Sequence, residues 1–99
     1  MAMLTLEEIE SILTAHKKEL RERFGVREIG VFGSYVRGEA KEDSDVDILV
    51  DFEEIPSLLK FIELEEYLEA LLGLRVDLVM KSSLKSGIAK TVLREVVYV

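Results

Sequence analysis

The chain has 99 residues, of which 48% are hydrophobic, enough to build the core of one domain over residues 1–99 and too few for a second. A net charge of −7 excludes a long nucleic-acid-binding track, because such a track needs clustered Lys and Arg to neutralise phosphates. The absence of cysteine excludes disulfides and thiolate zinc sites, and with no signal-peptide pattern and no long apolar run we expect a soluble, cytoplasmic protein.

The first predicted element is a helix that starts near Thr5 and ends at Gly25. Thr5 followed three residues later by Glu8 has the spacing of a capping box, which marks a helix start. Apolar residues recur along one side of this helix, at Ile9, Ile12, Leu13, Leu20 and Phe24. His16 is the only histidine, and because no ligand or nucleophile lies beside it in the sequence, we interpret it as a helix-edge residue without a role.

A buried strand followed by a tight turn comes next. The run from Val26 to Phe32 is rich in β-branched and apolar residues and stops at Gly33. Ser34 is a favoured N-cap for a short helical turn that Gly38 would close, so free backbone N–H groups should point beyond the end of the strand. The pattern predicts an anion-binding site at Gly33 and Ser34.

Carboxylates begin the second predicted strand, which runs from Asp45 to Phe52. Strand alternation places Asp45 and Asp47 on one face, roughly 6.5–7 Å apart along the backbone. Two carboxylates at that spacing suit Mg²⁺, a hard cation that prefers oxygen ligands and substrate phosphates. Arg37, in the polar spacer before them, either pairs with a phosphate or a partner or is a solvated surface residue.

Helical spacing returns twice in the second half of the chain. The first of these helices should begin at Pro56, which a first helical turn tolerates, and run to Gly73. Its expected core-facing residues are Leu58, Phe61, Ile62, Leu68 and Leu72. The second should span residues 84–94, capped by Ser82 or Ser83. Its expected apolar edge is Leu84, Ile88 and Val92. The apolar residues 96–99 either fold back on the core or meet a partner.

The third predicted strand, from Leu74 to Met80, supplies another carboxylate. A strand, helix, strand unit of this length implies a right-handed crossover and a parallel pairing with the second strand. Asp77 should then lie level with Asp45 and Asp47. The elements predict an α+β, two-layer fold in the order α-β-α-β-α-β-α, with a small mixed three-stranded sheet, and an optional extra edge strand, packed against helices.

Two other interpretations of the acidic segment compete with a magnesium site. Its acidic residues match ligand positions of a calcium-binding helix-loop-helix loop, at Asp43, Asp45, Asp47, Asp51 and Glu54. That loop requires glycine where this chain has Ile48, which argues against calcium. A merely solvated acidic strand start would leave the Gly33 turn and Asp77 as coincidences.

These motifs carry a family resemblance over nearly the whole chain. The chain resembles the DNA polymerase beta nucleotidyltransferase superfamily. The resemblance lies in Gly33-Ser34, a spacer of ten residues, Asp45-Val46-Asp47, and Asp77 on a later strand. The short length, with Arg37-Gly38 and Ser44, resembles the minimal nucleotidyltransferases, and residues 84–99 resemble the antitoxin members. Those antitoxins are paired with an all-helical ribonuclease toxin of the higher eukaryote and prokaryote nucleotide-binding class, which they neutralise by moving AMP from ATP to a toxin tyrosine.

The resemblance also implies roles for individual residues. Asp45 and Asp47 would hold two Mg²⁺ ions, while Asp77 would bind the catalytic ion and help to activate the incoming hydroxyl. The implied nucleotide-binding residues are Gly33, Ser34 and Arg37.

Three functions are compatible with this resemblance. The first is the antitoxin of a type VII-like toxin–antitoxin pair that adenylylates its toxin. The second is an antitoxin that neutralises by docking alone, although such a protein need not keep Asp77. The third is a nucleotidyltransferase subunit that modifies a small molecule and acquires its acceptor pocket by oligomerising.

Overall fold

The computed structural model describes residues 4–99, which form one four-stranded mixed sheet and the helices around it. The strands are β1 (Val26–Phe32), β2 (Val46–Phe52), β3 (Val76–Met80) and β4 (Val97–Tyr98), in the spatial order β3-β2-β1-β4. The helices are α1 (Leu6–Ala15), α2 (Lys17–Phe24), α3 (Ser34–Arg37), α4 (Leu58–Leu72) and α5 (Ser86–Glu95), with a 3-10 turn at Lys81–Ser83. No helix within residues 4–99 has the length and apolarity to cross a membrane.

The predicted α+β fold with a mixed sheet is confirmed. β1 runs antiparallel to β2 and to β4, whereas β2 and β3 are parallel, as expected from the helical connection between them. The apolar C-terminus folds back as β4 on the free edge of β1, which answers the question that the sequence left open. The core combines the sheet with the inner faces of α1, α2 and α4.

The predicted single N-terminal helix is wrong, because the chain breaks it at His16. The capping box is present, with the Thr5 N–H donating to Glu8 at 2.8 Å. At His16 the imidazole Nδ1 donates to the Ile12 carbonyl at 2.8 Å, which is the acceptor that the His16 backbone N–H would use in a continuous helix. The backbone N–H turns instead to Leu13. His16 thus has a structural role that the sequence did not assign.

The predicted core face of α4 is correct at Leu68 and Leu72 and in part at Phe61, which is partly buried and packs against the core. Leu64, Leu68 and Leu72 are buried, whereas Leu58 is 75% and Ile62 42% exposed. The helix begins after Ser57, whose side chain caps it by accepting from the Lys60 N–H, so Pro56 lies before the first turn rather than within it. The N-terminal half of α4 therefore presents an apolar surface to solvent.

The expected cap of the last helix is also wrong. Ser82 and Ser83 belong to the 3-10 turn, and α5 starts at Ser86 after Lys85, which makes no side-chain capping bond. Of its residues only Val92 is buried, and Ile88 is 59% exposed. α5 is thus attached to the fold mainly through its C-terminal end and β4.

Candidate active site

The parallel pairing of β2 with β3 brings two carboxylates side by side. Asp47 on β2 is the direct register partner of Asp77 on β3. Neighbouring strands lie about 4.8 Å apart, so side chains on the same face at this level are adjacent. The parallel crossover predicted from the sequence should bring Asp77 level with Asp47, and the two carboxylates do lie together at one end of the sheet.

The glycine turn lies directly against this pair. Phe32, the last residue of β1, is the register partner of Asp47, so Gly33 follows immediately beyond it. A Cβ on Gly33 would lie 2.9 Å from Asp47 Cγ, and the φ of +80° is itself one that favours glycine. Any other residue at position 33 would displace the carboxylate or the turn. The turn and the acidic pair are therefore parts of one site.

The structure corrects the predicted role of Ser34 as an N-cap. Gly33 is the N-cap of α3, and Ser34 is the first residue of the helix, with no side-chain capping bond at this end. The Ser34 hydroxyl is therefore not used to cap the turn. Gly38 closes α3 in the left-handed conformation, as predicted.

Burial and repulsion disfavour the charged form of the Asp47 carboxyl group. Desolvation raises the pKa of Asp47 from 3.8 to about 6, and it is the largest cause of the shift. The charge of Asp77, a hydrogen bond to Asp77 and the charge of Asp45 act in the same direction. Arg37 acts in the opposite direction, which means that its charge reaches the same site. An acidic pair in this state has an uncompensated negative charge.

Asp45 is directed elsewhere. Its Oδ1 lies 3.4 Å from Arg75 Nε, in a pair whose side chains are 48% and 80% exposed. Within the described residues no group of three His, Cys, Asp or Glu side chains is arranged to hold a metal ion. An exposed ion pair of this kind is worth only about 0–1 kcal/mol, so little holds Asp45 to Arg75.

The site fits a divalent cation that arrives with a nucleotide better than a cation in a cage of protein ligands. Mg²⁺ is commonly bound by one or two carboxylates together with substrate phosphates. Asp47 and Asp77 would supply hard oxygen ligands, and a cation would relieve the repulsion between them. Asp45 lies two residues from Asp47, and its charge acts on Asp47. Its carboxylate would therefore be able to bind the same cation once it leaves Arg75.

A fourth carboxylate, which sequence reasoning missed, lies on the other side of the turn. Glu95, the last residue of α5, accepts a hydrogen bond from the Gly33 N–H at 2.9 Å through Oε2. Its Oε1 accepts from Arg37 Nη1 at 2.8 Å. The hydrogen bond from the Gly33 N–H is the largest cause that holds the pKa of Glu95 below its ordinary value, and Arg37 adds to it. No local sequence pattern predicts this contact, because Glu95 lies 62 positions after Gly33 in the chain.

The chain belongs to the nucleotidyltransferase domain family, whose model matches residues 13–99. A relative named "Putative protein adenylyltransferase" from Methanocaldococcus jannaschii is 51% identical over 98 residues, covering 98% of this chain and all of the relative. The resemblance inferred from the motifs is thereby confirmed at the level of the family, and the protein is a nucleotidyltransferase.

Two solved structures share the fold. One, described as a putative minimal nucleotidyltransferase, has a TM-score of 0.81 and 42% identity, and the match covers 98% of each chain. The other is a toxin–antitoxin structure with AMP-PNP, with a TM-score of 0.74 and 28% identity, and the match covers 90% of this chain and 70% of that one.

Proposed function

We propose that this nucleotidyltransferase is a magnesium-dependent protein adenylyltransferase and the antitoxin of a type VII-like toxin–antitoxin pair. It moves AMP from ATP to a tyrosine of a helical ribonuclease toxin of the higher eukaryote and prokaryote nucleotide-binding class. The observation that carries the proposal is the adjacent carboxylate pair of Asp47 and Asp77, with Asp47 lying against the glycine turn at Gly33.

The residues divide into a phosphate-binding and a cation-binding group. The Gly33 turn, the Ser34 hydroxyl and the Arg37 guanidinium bind the triphosphate. The carboxylates of Asp45, Asp47 and Asp77 would hold two Mg²⁺ ions, which would stabilise the charge that develops on the attacking and leaving oxygens.

Asp77 is the residue that handles the acceptor proton. It is exposed at the edge strand of the sheet, where an incoming hydroxyl can reach it. The tyrosine oxygen forms a bond to the α-phosphorus, the bond from that phosphorus to the bridging oxygen breaks, and pyrophosphate leaves. The phenolic proton passes to Asp77 as general base. No covalent intermediate on this chain is required.

An exposed apolar surface supports a protein as the acceptor. Ile55, Leu58 and Leu59 are each at least 70% exposed, and Ile62 adjoins them on α4. Apolar residues gathered in this way are typical of interaction surfaces. The relatives agree with this proposal, since one is named for protein adenylylation and one solved structure holds a toxin, an antitoxin and an ATP analogue.

Labelled ATP separates the proposed reaction from its alternatives. The protein is incubated with Mg²⁺ and with ATP labelled at either the α- or the γ-phosphate, with and without the product of the adjacent gene. Label from the α-position alone should appear on a tyrosine of that partner. Label that appears on a small molecule would instead indicate the small-molecule enzyme. Toxin neutralisation with no label from either position would indicate docking alone.

A further inference from the structure

Glu95 makes contacts that the proposed function assigns to phosphate groups. Its two carboxylate oxygens accept from the Gly33 N–H at 2.9 Å and from Arg37 Nη1 at 2.8 Å. A carboxylate and a phosphate offer the same kind of negatively charged oxygen pair to such donors. The Glu95 side chain is only 16% exposed, so in this position most of it is covered by the protein.

The fold delivers Glu95 to this position. Directly after it the chain forms β4, in which Val97 pairs with Val31 and Tyr98 with Gly30 of β1. Gly30 has no side chain, and a Cβ there would come within 2.7 Å of Val96 Cγ2 and 2.8 Å of the Val97 carbonyl oxygen. The close approach of β4 to β1 fixes the backbone next to Glu95, which leaves side-chain rotation and movement of α5 as the ways to withdraw the carboxylate.

One donor cannot serve two anions at full strength. The Gly33 N–H that contacts Glu95 is not available to a phosphate oxygen until Glu95 withdraws, and a triphosphate beside a retained Glu95 would be repelled by it. Asp47, on the other side of Gly33, adds to the same negative charge. A nucleotide therefore has to displace Glu95 as it binds.

We propose that Glu95 is an internal competitor for the triphosphate position, which it occupies in the nucleotide-free protein and leaves when nucleotide binds. This inference rests on the proposed function only in taking Gly33 and Arg37 as phosphate ligands. Glu95 then sets nucleotide affinity, and it keeps Arg37 within the site while no phosphate is present. A partner that moved α5 or β4 would change the affinity for ATP through this contact.

Titration calorimetry with Mg²⁺ and a non-hydrolysable ATP analogue tests the competition. Glu95→Gln removes the competing charge and should bind the analogue about 10- to 100-fold more tightly than the wild type, the factor expected for loss of a hydrogen bond to a charged group. Glu39→Gln is the matched control, because Glu39 also pairs with Arg37, at 2.8 Å, yet is 65% exposed. It should change affinity by less than about threefold. Unchanged or weaker binding by Glu95→Gln would overturn the proposal.

A second measurement needs no variant. In the wild-type protein the Gly33 amide and the Glu95 carboxylate carbon are followed by NMR as the same analogue is added. Both signals should move together as phosphate replaces carboxylate, and a Glu95 signal that stays constant at saturation would overturn the inference. If the wild type binds the analogue but transfers no label from ATP, the proposed function fails while the competition stands. If it binds no analogue at all, both fail.

Discussion

Two sets of carboxylates flank Gly33, and their electrostatic surroundings are opposite. At the end of β2 and β3, burial of Asp47 and then its repulsion by Asp77 raise the pKa of Asp47 to about 6. Glu95, across the turn, receives a backbone N–H and a guanidinium, and its pKa is lowered. The first set suits a cation, whereas in the second a carboxylate accepts from donors that suit an anion. The two together match a cation bound to a polyphosphate.

Removing the carboxylates of Asp45 and Asp47 together should have the largest effect on label transfer. The double substitution Asp45→Ala and Asp47→Ala should lower label transfer by at least about 1000-fold, because it removes carboxylates that we propose as cation ligands. The fold should survive, since the change relieves repulsion. Transfer is measured with α-labelled ATP, and circular dichroism checks the fold.

Asp51→Asn is the matched control for this double variant. Asp51 lies on the same strand, but it pairs with Arg27 at 2.7 Å, away from the turn. Its loss should leave transfer close to the wild-type rate. Wild-type transfer by the double variant would show that the site is assigned to the wrong residues.

Asp77→Asn should separate binding from chemistry. The substitution keeps the shape of the side chain, and the remaining carboxylates still hold the nucleotide with its metal. Transfer should fall about 100- to 10,000-fold, the range for loss of a general base, while analogue affinity falls far less. Calorimetry and label transfer on the same sample check both, and equal losses in the two would count against a role for Asp77 in proton transfer.

Ser34→Ala addresses the anion-binding side and should have a smaller effect. Its hydroxyl is not used to cap α3, so we assign it to the triphosphate rather than to nucleophilic attack. Losing one preorganised donor should slow transfer about 10- to 1000-fold. Steady-state kinetics measure the loss, and a covalent adduct on Ser34 in the mass spectrum would contradict this assignment.

The smallest effect should appear in the stability of the metal-free protein. Because the pKa of Asp47 is raised from 3.8 to about 6 on folding, the folded state binds more protons, and stability falls as pH rises through that window. Asp47→Asn lacks this dependence and should be more stable than the wild type above pH 7 by about 1 kcal/mol, a value reduced for partial solvation. Below pH 4 the two should converge.

Urea denaturation in a chelator, at several pH values, measures this difference. A wild-type protein that gains stability relative to Asp47→Asn as pH rises would contradict the raised pKa. Mg²⁺ with the ATP analogue should reverse the order, because the cation stabilises only the charged pair.

The acidic half of the site could be predicted from sequence, because its geometry follows from local rules. Strand alternation and a parallel crossover are enough to bring Asp77 level with Asp47, and a glycine after a buried strand is enough to mark the turn. The other half could not be predicted. Glu95 reaches Gly33 only because β4 pairs with β1, a contact between distant segments that no local pattern encodes.

Two of the errors in the predicted fold have similar causes. The break at His16 arises because a side-chain N–H replaces a backbone donor at Ile12, which apolar periodicity does not register. The outward half of α4 has the same periodicity as a core face, and only the sheet that it packs against decides which leucines are buried. Periodicity located these helices, and tertiary contacts decided their details.

Neutralisation of the partner by chemistry, as opposed to docking, can be tested on the toxin itself. The toxin's ribonuclease activity is followed with ATP and Mg²⁺ while wild-type protein or Asp77→Asn is added at well below one equivalent. The wild type should silence all of the toxin by turnover and leave AMP on a tyrosine, whereas Asp77→Asn should protect only as much toxin as it can bind. Complete protection by substoichiometric Asp77→Asn, with no modified tyrosine, would contradict the account.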